Sequence, residues 1–506
     1  MFINKIAIDK YKKLEDFEIK FKEETTKKLE NRAMNISVIV GENGTAKTTL
    51  FQFILSIFTS GFERDEPNYY ELEYEIDGKF NKITSLNDVR DDIRPSKLVI
   101  SSYTPIDKLK INSKIMHAFP VEVVSKEIDN SLIRNATNVI VKSFFSNRFG
   151  KVKNLIKYVG YLPDPFFIEV FSGIKRSYKF YENRISSRKI YENQNLLKKV
   201  EFLDAEYSNF REEERILIII ENYEKKIIQN GMNNSARRFR ERAMEYTRNR
   251  SGRELGYFNV RVYLEYLYIV EKIKLLEATC SNLYNTSYKN HRQRLINANE
   301  LNIYIDGIAC LMEDIEFLEL LDISMFGDVW FIQNKEPVPM SMWSSGELSL
   351  FLRLLELYKN VSEGSIVLID EPETHLHPKW IRGYISTIKN LLGNINCHII
   401  IATHSPLIVS DIENRAIIAL KKNEMSVVQS YISEETLGLN YEMVLNEVFG
   451  IEESSGKVLD VYISKIHAHI DNGKYKEAIE IYNKLADSQE KFELFIKLKK
   501  YLNEEN

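Results

Sequence analysis

The chain has 506 residues, 44% of them hydrophobic and 28% charged, which excludes a disordered protein and predicts two to four structural units. No apolar run reaches about 18 residues and no apolar leader precedes the first charges, so neither a spanning helix nor a secretory signal is expected. A formal charge of −4 gives no molecule-wide attraction for nucleic acid, so any such surface must be local.

In chain order, Ile3, Ile6 and Ile8, then Phe17, Ile19 and Phe21, alternate as two short strands joined near Lys10–Glu15. A further strand, Asn35–Val40, runs into a glycine-bearing loop, and the apolar periodicity of Thr48–Phe58 predicts the helix that follows. Strand patterns continue over residues 69–87 and at Leu98–Ser102, which ends in the polar turn Tyr103–Asp107. From about 125 to 315 the composition turns to Glu, Lys, Leu, Ile and Arg, with Ser186–Lys226 and Val260–Thr286 reading as long helices. Strand character returns over Phe317–Gln333. Short strands at Ala416–Leu420 and Ser426–Val428 lead to helices at Tyr441–Phe449, Ser455–His469, Tyr475–Leu485 and from about Glu490. Cys280, Cys310 and Cys397 are odd in number and far apart, which argues for a reducing cytoplasm and against a disulfide scaffold.

The chemistry concentrates in four segments. Gly41-Glu42-Asn43-Gly44-Thr45-Ala46-Lys47-Thr48-Thr49 has the spacing of the nucleoside-triphosphate loop, in which backbone N–H groups wrap phosphate, Lys47 meets the outer phosphates and Thr48 offers a hydroxyl to Mg²⁺. One position departs: Ala46 stands where the pattern has glycine, and a negative φ there would accommodate it. Ile366–Asp370, with Glu371 after it, reads as a buried parallel strand delivering two carboxylates at its C-terminal end. Asp370 is placed to hold Mg²⁺ and Glu371 to polarise the attacking water. Ser344-Ser345-Gly346-Glu347 has the hydroxyls and helix-start N–H groups that grip phosphate, and by itself also reads as an ordinary helix cap. His404 ends the strand Ile399–Thr403 and, unless it is an ordinary surface histidine, suits sensing phosphate. His375 and His377 have no adjacent third ligand, which makes zinc a poor reading.

Taken together, Val40–Thr49, Ser344–Glu347, Leu368–Pro378 and Ala402–Pro406 resemble the ABC-class ATPases of the chromosome-maintenance and recombination kind. They are most similar to the single-chain bacterial AAA proteins of overcoming-lysogenization and anti-phage systems; Ser102–Lys108 also resembles these. The resemblance implies an α/β, ABC-type (SMC/RecF-like) nucleotide-binding domain split into residues 1–170 and 321–430, with a helical insertion at 171–320 and a helical C-terminal region at 431–506. It also implies ATP and Mg²⁺ as cofactors, with Ser344–Glu347 reaching across a head-to-tail dimer to the partner copy's ATP. His404 corresponds to the switch histidine of the class; the class's Mg²⁺-contacting glutamine has no clear counterpart here.

Residues 407–506 show neither the acid pattern of a toprim nuclease nor an HNH-like cluster, since His467 and His469 stand alone. The pattern looks like the PtuA-type ATPase subunit of Septu or retron-associated defence systems, or the ATPase of the PARIS system. That likeness implies a separate effector, such as an HNH nuclease in the Septu-type case, docked on the C-terminal helices after Leu439-Asn440-Tyr441. Val448-Phe449-Gly450 and Gly473–Ala478 resemble that tail. A basic run (Arg237, Arg238, Arg240, Arg242, Arg248, Arg250 and Arg253 against Glu241 and Glu245) beside Tyr246, with Arg292 and Arg294 in reach, reads equally as a contact for DNA or an RNA–DNA hybrid and as a solvated hairpin tip. The competing readings are a DNA-repair or chromosome-structure ATPase that clamps DNA, and the ATPase subunit of a membrane transporter.

Overall fold

The computed structural model describes residues 1–59, 62, 67–86, 94–102, 121–123, 130–146, 148–170, 185, 193–250, 256–280, 284–288, 291–374, 376–423, 426–451 and 457–502. Its strands are β1 (Phe2–Tyr11), β2 (Leu14–Lys20), β3 (Asn35–Gly41), β4 (Tyr70–Ile76), β5 (Lys79–Thr84), β6 (Leu98–Ser102), β7 (Val121–Val123) and β8 (Leu162–Val170). These are followed by β9 (Tyr284–Tyr288), β10 (His291–Asn297), β11 (Phe326–Gln333), β12 (Glu336–Pro339), β13 (Ile366–Asp370), β14 (His398–Thr403), β15 (Ile417–Lys422) and β16 (Val427–Ser430).

A seven-stranded sheet in the order β16-β15-β3-β14-β13-β6-β7 forms the centre. All its pairings are parallel except β15–β16. Every residue of β3, β6, β13 and β14 is buried, which is why these segments read as near-continuous apolar runs rather than alternating ones. Alternate side chains still face opposite layers. Ile39, Ile100, Leu368 and Ile400 pack with the helix Lys47–Thr59 and the antiparallel sheet β2-β1-β4-β5. Val38, Val99, Val367, Ile369 and Ile401 pack on the other side, with the helices Phe149–Val159, Ser345–Asn360 and Tyr384–Leu392. The fold is thus α/β: β3, which enters the glycine-bearing loop, lies beside β14, and β14 beside the acidic strand β13, between an antiparallel lobe and a helical layer.

The long helices expected in the insertion are broken. Residues 194–226 form two helices, Gln194–Asp204 and Glu212–Gln229, separated where Ser208 and Asn209 favour turns over a helix interior. The helix expected over Val260–Thr286 starts at Gly256 and stops at Thr279. Nor is the insertion wholly helical: β9 and β10 join β8, β11 and β12 in an antiparallel sheet ordered β12-β11-β8-β10-β9. The helix Gly256–Thr279 is buried on nearly every side from Phe258 to Ile273. It carries charges inward in compensated form: Arg261 donates to Asp204 at 2.7 Å and to Glu265 at 3.0 Å, and Lys272 to Asp314 at 2.7 Å. Among the described residues, no helix is long and apolar enough to cross a membrane.

Candidate active site

β3 carries the chain into the glycine-bearing loop. Gly41 must lack a side chain, because a β-carbon there would stand 2.5 Å from the Leu420 carbonyl oxygen and 2.7 Å from Thr45 Oγ1. Gly44 and Ala46 take φ of 87° and 62°, left-handed turns of the kind that let successive N–H groups converge on an anion. The negative φ expected for Ala46 is therefore not adopted. The loop demands the conformation a glycine supplies, and an alanine there carries a cost of about 1 kcal/mol or more.

Lys47 donates from Nζ to the carbonyls of Gly41 at 2.7 Å and Glu42 at 3.2 Å. Burial pushes its pKa down to about 8, against the pull of Glu371, Asp370 and Glu373. An ammonium solvated only by loop carbonyls is suited to exchange them for phosphate oxygens. Next to it, Thr48 Oγ1 donates to Asp370 Oδ2 at 3.0 Å. Asp370 is 1% exposed, and its second oxygen, Oδ1, is buried with no hydrogen-bond partner among the described residues. Burial raises this carboxyl to about 6, the Thr48 hydroxyl opposing. A buried carboxylate with one uncompensated oxygen, beside a hydroxyl and below a lysine, fits a hard cation that also takes phosphate oxygens.

Glu371 follows the strand with φ of 48°, a strained conformation for a glutamate, held by its N–H donating to the Ala402 carbonyl at 2.8 Å. Such strain clusters where geometry serves chemistry. His404 Nε2 lies 3.7 Å from Glu371 Oε1. Burial and the neighbouring Lys47 lower the pKa of His404, with Glu371 opposing, so the imidazole is neutral at pH 7. Asn43, Gly44, Thr45, Ala46, Lys47, Thr48, Thr49, Glu371 and His404 all line one cavity of about 480 Å³.

Lys13 and Gln52 line it too, although neither stands out in the sequence. Lys13 follows Lys12 in the tight turn between β1 and β2, and Lys12 Nζ donates to Gln52 Oε1 at 2.7 Å. The available signals were a basic pair in a hairpin turn and a glutamine one helical turn beyond Thr48. The loop after β6 lies outside the described residues, and residues 103–129 contain no glutamine.

Ser344, Ser345, Gly346 and Glu347 do not line this cavity. They open the helix Ser345–Asn360 with a capping box, in which Ser344 Oγ accepts from Glu347 N at 3.3 Å and Glu347 Oε2 from Ser344 N at 2.8 Å. Tyr161 supports the cap from below, stacking on Trp343 with ring centroids 4.1 Å apart and donating to Glu347 at 3.2 Å. Ser344 and Ser345 are exposed, so this capped helix start faces outward. His377 caps the helix Pro378–Arg382 through Nδ1, accepting from Lys379 N at 3.2 Å, while His375 lies outside the described residues.

In the arginine-rich helix Asn233–Arg250, Ala236, Phe239, Ala243 and Tyr246 are buried. Tyr246 stacks on Tyr263 at 4.0 Å, so it belongs to the core and offers no platform for a base. Arg237, Arg238, Arg240 and Arg248 are exposed, with Arg237 paired to Glu241 and Arg240 to Glu224. Arg242 is half-buried; Arg253 and the side chains of Arg250, Arg292 and Arg294 lie outside the described residues. At the C-terminus, Val444 and Val448 join the main core. Ile466, Ala478, Ile479, Leu494 and Leu498 form a small core of their own.

Residues 164–410 match the family model described as "AAA domain, putative AbiEii toxin, Type IV TA system". Protein ea59 of Escherichia phage lambda is 33% identical over 111 residues, 22% of this chain and 21% of that protein. The retron Vc95 probable ATPase of Vibrio cholerae serotype O1 biovar El Tor is 26% identical over 142 residues, 26% of this chain and 27% of that one. The Septu protein PtuA of Bacillus thuringiensis is 30% identical over 124 residues, 24% of this chain and 31% of that one. The matched segments thus span less than a third of each relative. Among solved structures, the SMC head domain from Thermotoga maritima aligns with a TM-score of 0.30 at 9% identity, over 86% of this chain and 100% of that one. The chain thus matches an AAA domain model over residues 164–410 and is similar, over about a quarter of its length, to the Septu protein PtuA and the retron Vc95 probable ATPase.

Proposed function

We propose that this chain binds and hydrolyses ATP with Mg²⁺ at this cavity. In this reading it is the regulatory ATPase of an anti-phage defence complex, pairs head to tail with a second copy, and controls a separate nuclease or toxin. The observation that carries the ATPase reading is the Thr48–Asp370 hydrogen bond beside the unpartnered Asp370 Oδ1. It joins the two segments that a metal-bound triphosphate requires, and leaves an oxygen that no described residue binds.

The loop N–H groups and Lys47 hold the β- and γ-phosphates, and Lys13 adds a positive charge at the cavity wall. Thr48 and Asp370 supply the protein ligands of Mg²⁺, which when bound neutralises charge on the transferred phosphoryl group. Glu371 accepts the proton of the attacking water, and neutral His404 donates a hydrogen bond to the γ-phosphate. The exposed start of Ser345–Asn360 serves the partner copy's nucleotide. The defence reading rests on the names of the relatives and on residues 164–410. The helices over 441–502 are the surface offered to the effector, and the exposed arginines of 233–250 the surface offered to DNA or an RNA–DNA hybrid. A chromosome-maintenance role is less well supported, since the relatives that match in sequence include proteins named for defence systems.

Purification of tagged E371Q protein from its native host, followed by identification of bound proteins, tests the defence reading. Recovery of a nuclease or toxin whose activity changes with ATP supports it; recovery of chromosome-maintenance proteins alone overturns it.

A further inference from the structure

Glu373 stands two residues beyond the proposed base, in the turn after β13, with its carboxylate turned inward. Its Oε1 accepts from Thr403 Oγ1 at 2.7 Å and from the backbone N–H of His404 at 2.6 Å. Thr403 Oγ1 in turn accepts from Ser405 N at 2.9 Å. One carboxylate oxygen therefore fixes three consecutive residues of the switch segment to the acidic turn. The other oxygen, Oε2, is buried with no hydrogen-bond partner among the described residues, and burial raises the pKa of the group. An acid with half its acceptors unmet in a low-dielectric site is a poor device for stability alone, since an apolar side chain of similar volume carries no such desolvation cost.

What the carboxylate does fix is where His404 stands. The Glu371–Ala402 backbone bond ties the base to the end of β14, and the Glu373–His404 bond ties the histidine to the same turn. Base and histidine are thus positioned by one rigid element, with Nε2 and Oε1 held 3.7 Å apart.

We infer that Glu373 is a positioning residue for hydrolysis: it anchors the backbone of Thr403–Ser405, and so places His404 for the γ-phosphate without contacting nucleotide itself. This rests on the ATPase reading above. The experiment measures turnover and affinity for a fluorescent ATP analogue on the full chain, for wild type, E373A, E373Q, H404A and the double variant E373A/H404A. E373A is expected to lower kcat about 10- to 100-fold, the scale of misplacing a reacting group by about 1 Å, with ATP-analogue affinity within about threefold of wild type. E373Q keeps an oxygen to accept the His404 N–H and is expected to recover most of the rate. In the H404A background, E373A is expected to cost nothing further, because its whole effect passes through the histidine.

Wild-type turnover in E373A, or losses in E373A and H404A that simply multiply in the double variant, would overturn the inference while leaving the ATPase reading intact. If E373A does not fold, E373M, which keeps the side-chain volume and removes the acceptor, carries the test in the same way through its coupling to H404A. A wild-type protein that neither binds nor hydrolyses ATP overturns the ATPase reading itself.

Discussion

Thr48 and Asp370 are 322 positions apart in the chain and share a hydrogen bond of 3.0 Å. The bond exists because β3 and β13 flank β14 in register: Val40 sits opposite Thr403, and Asp370 opposite Ala402. The phosphate loop and the acidic pair therefore leave the sheet at the same edge, where parallel α/β sheets place ligands.

The first prediction concerns Glu371. E371Q keeps the side-chain volume and removes the base, so ATP binding is expected to persist while hydrolysis falls by about 100-fold or more, within the range for removing a general base. Equilibrium binding and phosphate release on the same preparation check it; native turnover in E371Q would remove Glu371 from the chemistry.

Ala46 makes a prediction about stability. Its φ of 62° disfavours any residue with a β-carbon, whereas glycine relieves that strain and gives up some of alanine's unfolded-state entropy advantage. A46G is expected to be more stable by about 0.5–1 kcal/mol, measured by chemical denaturation. A less stable A46G would show that the alanine β-carbon packs well enough to compensate.

Protonated Asp370 favours the folded state, whereas the proposed Mg²⁺ site needs its ionised form. Its carboxyl titrates at about 6 in the folded protein against an ordinary 3.8, so the folded state holds the proton more tightly than the unfolded one. The resulting stability is complete below about pH 4 and is lost as pH rises through about 6. The difference is worth about 3 kcal/mol by linkage. D370N is therefore expected to be more stable than the native protein at pH 8 and no more stable at pH 4, while losing Mg²⁺-dependent nucleotide binding. Denaturation of both proteins at the two pH values checks the sign; an advantage for D370N that is independent of pH would contradict it.

The site's elements are legible in the sequence to different degrees. β3, β13 and β14 declare themselves because a strand buried on both faces has to be apolar along its length, and each ends in residues of the candidate site. β9 and β10 stay hidden: Tyr-Asn-Thr-Ser-Tyr and His-Arg-Gln-Arg carry no apolar run, and they pair only because β8 offers an edge. Val260–Thr286 misleads for a related reason, since its apolar periodicity fades without a glycine or proline to mark the stop at Thr279. Tyr246 looks like a stacking platform beside arginines, and only the tertiary position of Tyr263 reveals it as core. Lys13 stays hidden in sequence because its turn folds back to a cavity that Gln52, 39 positions on, also lines. The part of Glu373 in the Leu368–Pro378 segment emerges only from its bond to His404, 31 positions on.

The arginine helix makes a salt-dependent prediction. Replacing Arg237, Arg238, Arg240 and Arg248 with glutamine is expected to weaken binding of DNA or an RNA–DNA hybrid at low salt. The log–log salt slope should fall by about 0.7–0.9 for each phosphate no longer neutralised. Affinity and slope unchanged in the quadruple variant would assign this helix to solvent.

The proposed head-to-tail pair would enclose ATP between the glycine-bearing loop of one copy and the Ser344–Glu347 helix start of the other. Sedimentation of E371Q with and without ATP and Mg²⁺, beside an E371Q/S345R variant, tests this most directly. The expected result is an E371Q monomer whose mass doubles only when nucleotide is added, and an E371Q/S345R protein that binds ATP but stays single. An E371Q protein that remains a monomer at saturating ATP would contradict it.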